Sequence, residues 1–290
     1  MAKQETDRGI QGQTAPLINV IIAARNEENY IGACLDALLQ QSEQAGRVEV
    51  ILAANACTDR TAEVAGEMRE QFDARGWTLT ILEVPEPGKV NALNAADRVA
   101  TGDALVFLDA DVRCDAELLA QLRAALASDR PTYATGRLQV APAKTWVTRR
   151  YARLWVELPF VKGGAVGAGL FSVNRAGRSR WAEFPDIISD DTFVRLQFSP
   201  EERVETPARY HWPMVEGFAN LVRVRRRQDD GVQEIHRLYP EIIEHEAKAQ
   251  VTKRDLLGLL IRMPVSFAVY ALVHVAVRLR RSSTDWTRGR

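Results

Sequence analysis

Short apolar segments alternate with amphipathic segments along the first half of this 290-residue chain, and this alternation limits its possible folds more than any other feature. The first apolar segment, residues 17–23, is rich in β-branched residues, which is typical of a strand covered on both faces. Apolar residues then recur at helical spacing at Ile31, Leu35 and Leu38. Further strands are predicted over residues 48–53, 78–84 and 104–108, and further helices over residues 61–75, 89–100 and 115–128. Such alternation indicates βαβ units and therefore an α/β fold with a mainly parallel central sheet flanked by helices.

The second half of the chain has a less regular pattern. A strand is predicted over residues 132–140 and a helix over residues 146–160. The glycine-rich residues 163–169 predict a loop or a close approach of the backbone. Residues 184–198 predict a turn followed by a helix, and residues 256–277 form a separate apolar segment.

Charge and cysteine content exclude some classes of protein. The 38 lysines and arginines equal the 38 acidic side chains in number, so no net field attracts a nucleic acid, and none is expected as a partner. Three scattered cysteines are too few and too far apart for a disulfide framework, which favours a reducing, cytoplasmic location. Residues 1–15 lack the apolar stretch of a secretory signal and predict a flexible tail.

Polar side chains follow the predicted strands at the point where each strand ends. Glu27 follows the first strand, Asn55 the second, and Asp109 and Asp111 the fourth. Ligands of such sheets bind beyond the carboxyl ends of the strands, so these side chains are expected at one edge. Two carboxylates there suit Mg²⁺ or Mn²⁺, which would also hold a diphosphate. A solvated strand end is the alternative interpretation of the aspartate pair.

Several other kinds of site are excluded by their missing motifs. No glycine fingerprint for dinucleotides follows the first strand, and Gly88-Lys89 lacks the upstream glycine and the Ser/Thr of a phosphate loop. The chain contains no G-x-S-x-G, and its four histidines include no pair at helical i, i+4 spacing that predicts zinc.

Two adjacent acids open a predicted helix at Ser189-Asp190-Asp191. One of them could serve as a base that removes the proton of an acceptor hydroxyl. Acids are also favoured at this position by the helix dipole alone, so both interpretations stay open.

Taken together, these segments resemble the family 2 glycosyltransferases, which have the GT-A fold. The resemblance covers residues 18–231 and rests on six segments in the family's order: residues 23–28, 54–61, 88–94, 107–111, 167–171 and 190–191. It implies an inverting, metal-dependent transfer of a single sugar from a UDP, GDP or dTDP sugar to a hydroxyl acceptor. A non-catalytic nucleotide-sugar-binding protein and a nucleotidyltransferase are the alternatives.

The resemblance also implies residue roles. The base would be Asp191, and the metal ligands Asp111 and Asp109, with His211 as a weaker candidate. The donor would be bound by Ala24, Glu27, Asn55, Lys89 and Asp109, with Arg225 and Arg227 of a mobile basic element clamping its diphosphate. The acceptor region would comprise Gly167, Ala168, Gly169 and Asp190.

Two departures from the family pattern limit these implications. Many members carry paired aspartates where this chain has Ala54-Asn55, so uracil recognition is not implied. The Gln-x-x-Arg-Trp segment of processive members is absent, which makes polymer synthesis unexpected.

We divide the chain into the tail, a catalytic domain and a C-terminal helical segment. The catalytic domain would span residues 16–245, with a nucleotide-sugar half (16–112) and an acceptor half (113–245). Residues 246–290 form the third part.

In this third part, the charge-free run Met263–Val277 is shorter than the roughly 20 residues of a spanning helix. Arg278, Arg280 and Arg281 follow it, which favours a helix lying on an anionic membrane surface. Peripheral attachment to the inner face of the cell membrane, with a lipid or lipid-linked acceptor, would fit. A core or dimer contact and a spanning helix are the alternatives.

Overall fold

A computed structural model describes residues 16–163 and 165–279, which form one eight-stranded sheet with helices around it. The strands are β1 (Leu17–Ala24), β2 (Arg47–Asn55), β3 (Thr78–Val84), β4 (Ala104–Asp109), β5 (Arg113–Cys114), β6 (Tyr133–Val140), β7 (Leu170–Asn174) and β8 (Arg203–Trp212). The helices are α1 (Ile31–Leu39), α2 (Thr61–Gly66), α3 (Arg69–Ala74), α4 (Lys89–Val99), α5 (Leu118–Leu126), α6 (Trp146–Trp155), α7 (Pro159–Lys162), α8 (Arg175–Arg178), α9 (Asp190–Leu196), α10 (Phe218–Leu238), α11 (Lys253–Arg262) and α12 (Pro264–Leu279).

The sheet has the strand order β3-β2-β1-β4-β7-β6-β8-β5. The first four strands in this order are parallel, as the alternation predicts. Beyond them the sheet is mixed: β7 runs antiparallel to both β4 and β6, β8 is parallel to β6, and β5 is antiparallel to β8. The register places Ala23 beside both Ala53 and Asp109, so β1, β2 and β4 end at the same edge.

Helices cover both faces of the parallel half because its strands are apolar on both faces. Val20 and Ile22 of β1 pack into one core, with Leu35 of α1. Ile21 points to the opposite face and packs with Leu93 of α4. This alternation of neighbouring side chains between two cores confirms the prediction of a doubly covered strand.

Some predicted elements differ from the structure. The helix predicted over residues 61–75 is two helices in the structure, α2 and α3. The first of them ends at Gly66, because glycine is the poorest helix former in this segment. The helix predicted over residues 146–160 ends at Trp155, and Pro159 begins α7. Strands β5, β7 and β8 were not predicted from the sequence. Residues 1–15, Gly164, Arg280 and Arg281 lie outside the described residues.

The C-terminal helices pack beside the second half of the sheet and form a third core. Val269 and Val273 of α12 are buried against α6 and α10, and Tyr270 stacks on Tyr151 with ring centroids 5.3 Å apart. No helix in the described part of the chain has both the length and the apolar character needed to cross a bilayer.

Helix α10 packs against the segment that precedes Asp190. Its Gly231 is buried there, and a Cβ at this position would overlap Ser189 Oγ and lie 3.0 Å from Ile188 Cγ2. Only glycine allows this approach. Gly258 of α11 is also helical, but a Cβ there would meet no atom within 4 Å.

These two glycines provide a matched test of the packing. We expect Gly258→Ala to stabilise the protein by about 0.5–1 kcal/mol, because alanine loses less backbone entropy on folding. Gly231→Ala should lose this gain and destabilise the protein, because α10 must move away from residues 188–189. Urea unfolding of both variants measures the difference, and equal stabilisation by the two substitutions would contradict the close packing.

Candidate active site

The carboxyl ends of β1, β2 and β4 open into one cavity of about 280 Å³. Most of the site residues predicted from the sequence line it: Ala24, Glu27, Asn55, Lys89, Asp109, Asp111, Ala168, Gly169, Asp190, Asp191 and Arg227. The cavity is also lined by residues to which the sequence assigned no individual role in binding or catalysis, among them Arg25, Trp212 and Gln228. Trp212 had no signal in the sequence, because the strand that ends with it was not predicted.

Lys89 is the centre of the charged cluster in this cavity. Its Nζ lies 3.2 Å from Asp109 Oδ1 and 3.1 Å from Asp190 Oδ2. Asp109 ends β4 and Asp190 begins α9, so one ammonium group links the edge of the parallel strands to the start of α9. The Asp190 side chain is only 7% exposed, which makes this contact a largely buried ion pair.

The pKa values in this cluster are shifted by burial and by neighbouring charge. Burial alone would lower the pKa of Lys89, but the carboxylates of Asp109, Asp190 and Asp191 outweigh it and raise this pKa above its ordinary value. Burial, together with the Asp191 and Asp109 carboxylates, raises the pKa of Asp190 against the opposing effect of Lys89. Lys89 is therefore charged at neutral pH, and it is the group that keeps a buried carboxylate in place.

Asn55 positions the start of α4, which carries Lys89. Its Nδ2 donates to the carbonyl of Glu86 at 2.6 Å, and its Oδ1 accepts from the Gly88 N–H at 2.8 Å. The side chain is buried at the end of β2 and lines the cavity. Its amide therefore fixes the loop between β3 and α4, whereas the contact with a nucleobase implied by the resemblance stays a prediction.

The turns that follow β1 and β2 are bound to each other. Asn26 adopts a φ of 54°, and its Oδ1 accepts from the Thr58 N–H at 2.8 Å. The Glu27 N–H donates to Thr61 Oγ1 at 2.7 Å. A non-glycine residue at positive φ persists only where its surroundings hold it, so this corner of the cavity is rigidly built.

Gly169 brings the loop before β7 into contact with β4. Its φ is +75°, its carbonyl accepts from the Asp109 N–H at 2.9 Å, and a Cβ would lie 2.6 Å from Trp212 Cδ1. This close approach confirms the predicted loop over residues 165–169, and it brings Asp109 and Trp212 to the same side of the cavity.

Asp191 lies where the cavity meets a second one of about 740 Å³. Its Oδ1 accepts from the Thr192 N–H at 2.7 Å, and the carboxylate is half-buried. Aromatic side chains of the second cavity, Trp155 and Phe160, meet at 6.3 Å in an edge-on arrangement. The second cavity provides space for another molecule beside Asp191.

Three predicted site residues are not brought to the first cavity. His211 Nε2 forms a 2.8 Å hydrogen bond with Asp115 Oδ1 on the other face of β8 from Trp212.

Arg225 pairs with Asp229 at 2.9 Å and lines the second cavity, although Arg227 lines the first. Gly167 is absent from the first cavity's walls but lies next to Ala168 in the same loop. The basic element predicted as mobile is part of α10.

A divalent cation in this cavity would need a ligand that supplies further oxygens. Asp109 and Asp111 face it, and the described residues contain no group of three or more potential metal-ligating side chains. Two carboxylates fit the way Mg²⁺ binds in sites where substrate phosphates complete the coordination. The donor set therefore suits a metal–diphosphate pair.

The fold is shared with solved glycosyltransferase structures. A mannosyltransferase from Pyrobaculum calidifontis, solved with GDP-Man and Mn²⁺, aligns with a TM-score of 0.58 at 21% identity over 93% of this chain and 77% of that one. TarS from S. aureus, solved with UDP, aligns with a TM-score of 0.52 at 14% identity over 94% of each chain. These likenesses confirm the predicted GT-A fold.

The sequence identifies the family. Residues 19–182 match the profile of glycosyl transferase family 2, and the chain belongs to this family. Over 116 residues it is 37% identical to a 4,4'-diaponeurosporenoate glycosyltransferase of Staphylococcus haemolyticus, a match that covers 38% of this chain and 28% of that protein. The chain spans only about a third of the length of the first curated relatives it matches.

The ionic cluster makes the stability of the site dependent on pH. In Lys89→Met, the buried Asp190 carboxylate loses its cation, so its pKa in the folded protein rises further. Stability should then fall as the pH rises from about 4, the value in the unfolded chain, through that higher pKa. We expect a loss of about 2 kcal/mol at neutral pH, less than for a fully buried pair because Lys89 is partly exposed.

Urea unfolding of wild type, Lys89→Met and the charge-preserving Lys89→Arg from pH 4 to pH 8 measures this effect. A pH profile of Lys89→Met that parallels wild type would show that the ammonium does not stabilise the carboxylates.

Proposed function

We propose that the protein is an inverting glycosyltransferase that moves one sugar from a nucleotide-diphosphate sugar to an acceptor hydroxyl. The observation that carries this proposal is the position of Asp191 at the junction of two cavities. One cavity has the cationic and acidic groups that a nucleotide donor needs, and the other is open for an acceptor. A base must contact both reactants, and Asp191 is the acid at the junction that is free of the Lys89 ion pair.

The donor would bind with its diphosphate among cationic side chains. Lys89, Arg227 and Arg25 converge on the cavity from α4, α10 and the turn after β1. Burial lowers the pKa of the Arg227 guanidinium, although the Asp190, Asp191 and Asp109 carboxylates oppose this shift. A guanidinium remains charged under such conditions and can donate two parallel hydrogen bonds to phosphate oxygens. UDP, GDP and dTDP sugars remain the candidate donors, and structural neighbours were solved with UDP and with GDP-Man.

We assign Asp111 and Asp109 as the residues that would hold Mg²⁺ or Mn²⁺. The metal would neutralise charge on the departing diphosphate, which makes it a better leaving group. The neighbour from Pyrobaculum calidifontis was solved with Mn²⁺.

The chemical step requires one base and no acid. Asp191 takes the proton of the acceptor hydroxyl as its oxygen forms a bond to the anomeric carbon. The bond from that carbon to the diphosphate breaks, and the diphosphate leaves with the electron pair. Attack from the side opposite to the leaving group inverts the anomeric carbon. No protonated second carboxyl is needed, because diphosphate departs as an anion, unlike the leaving group of a glycosidase.

We also propose that α11 and α12 lie against a membrane and that the acceptor is a lipid or lipid-linked hydroxyl. Apolar side chains on their outer face are exposed, with Ile261 at 71% and Leu279 at 77%. An amphipathic helix of this kind binds in the plane of the bilayer surface. The second cavity reaches Val277 and Arg278 of α12, so it opens next to this face. Three free cysteines favour the cytoplasmic side of that membrane.

Donor binding is the first prediction of this proposal. Thermal melting with UDP, GDP and dTDP, each with and without Mn²⁺, should show a metal-dependent rise of a few degrees for at least one nucleotide, since ligand at 100 times its Kd adds about 2.7 kcal/mol. Asp111→Ala should lose the metal-dependent part, whereas the exposed control Asp129→Ala should keep it. Metal-dependent stabilisation that survives Asp111→Ala would remove this residue from the ligand set.

Transfer chemistry is the second prediction. Asp191→Asn should retain nucleotide binding but lose at least about 100-fold in transfer rate, the lower range for a general base. The exposed control Asp73→Asn should transfer normally. The measurement is release of nucleoside diphosphate from the donor in the presence of acceptor. Normal transfer by Asp191→Asn would exclude this residue as the base.

The wild-type protein also tests the alternative of a non-catalytic binding protein. If it binds the donor but transfers no sugar in the presence of any acceptor extract, that alternative is favoured.

A further inference from the structure

A third groove, away from the active site, is lined by arginines over an apolar floor. It has a volume of about 580 Å³ and lies between the C-terminal part of β6 and helix α6. Leu138, Val140 and Val156 contribute to the floor, and the rim carries Arg137, Arg149, Arg153 and Arg209. No acidic residue of the described chain lines it, and it shares no lining residue with the donor cavity.

The four arginines are arranged as two pairs of like charge. Arg137 and Arg209 are partners in the register of neighbouring strands β6 and β8. Arg149 and Arg153 lie one turn apart on α6. Like charges at either spacing destabilise a sheet or a helix. A fold that accepts both repulsions at one groove has a local excess of positive charge that an anion would relieve.

Only part of this charge is neutralised within the protein. Arg137 Nε lies 3.7 Å from Glu205 Oε1, which is a loose pair. Arg149 donates to the backbone carbonyl of Lys144 at 2.6 Å, so its guanidinium is anchored at the rim without being neutralised. All four side chains are exposed.

We propose that this groove binds the phosphate of an anionic amphiphile, with a phospholipid headgroup as the ligand and the start of its acyl chain on the apolar floor. Guanidinium groups match phosphate oxygens in geometry and charge. The apolar floor distinguishes this ligand from a free inorganic anion, which would gain nothing from it. Helix α6 lines the groove with Arg149 and Arg153 and packs against α12 through Tyr151.

Flotation with vesicles tests the groove separately from the apolar face. Wild type and Arg153→Gln/Arg209→Gln are mixed with vesicles of phosphatidylcholine alone, or of phosphatidylcholine with phosphatidylglycerol. Each arginine near an anionic surface contributes about 1 kcal/mol, so the double variant should lose about 30-fold in affinity for the anionic vesicles only. The control Arg69→Gln/Arg130→Gln removes the same charge from exposed sites elsewhere and should lose much less.

The outcomes are distinguishable. Equal losses in the two double variants would overturn the groove, because only net charge would then matter. Stabilisation of wild type by sodium phosphate as strongly as by the anionic vesicles, when compared with chloride at equal ionic strength, would also overturn it in favour of a free phosphate site. Ile261→Gln/Leu272→Gln should weaken binding to both vesicle types. If it does not, the proposed apolar contact fails and the groove is unaffected, and nucleotide binding tests the active site independently of either result.

Discussion

The contact of one ammonium group with a carboxylate of the sheet and a carboxylate of a helix beside it determines how the active-site edge is built. Lys89 begins α4, Asp109 ends β4, and Asp190 begins α9. Removing such charges from water is costly, and the cost is offset only when the geometry is held closely. The amide of Asn55 provides this constraint, since it fixes the loop from which α4 starts. A polar side chain at the end of β2 thus acts on the site through the backbone.

The contact with Lys89 also gives the two adjacent acids, Asp190 and Asp191, different surroundings. Consecutive residues on a helix point about 100° apart. Asp190 is therefore directed towards Lys89 and is buried, while Asp191 reaches the junction of the two cavities. The Asp190 carboxylate already accepts the Lys89 ammonium, and Asp190 does not line the second cavity, where an acceptor would bind. Asp190, assigned to the acceptor region by resemblance, instead contacts Lys89, and this pairing leaves Asp191 as the acid available for proton transfer.

The sequence predicts the parallel half well because burial on both faces leaves a plain signal in β1, a continuous apolar run. β8 contains a proline, and its charged Arg203 and Glu205 are half-buried while its apolar Val204 is exposed, so its pattern does not indicate a strand. The convergence of the site residues was predictable, since parallel strands end at one edge. Which of Arg225 and Arg227 faces the donor cavity was not, because it depends on how α10 is rotated, and that rotation is set by Gly231 packing on Ser189.

Helix α10 connects the chemistry of the site to the C-terminal helices. Arg226 donates to the carbonyls of Ala276 and Val277 at the end of α12, and the next residue, Arg227, lines the donor cavity. One turn further on, Gly231 contacts the segment that leads into Asp190. All three contacts come from one continuous helix, so the outer face of α12, the donor cavity and the acid pair are held at fixed distances from each other. If α12 lies on a bilayer, this helix sets the height of Asp191 above the lipid surface, and an acceptor hydroxyl has to reach that height to be glycosylated.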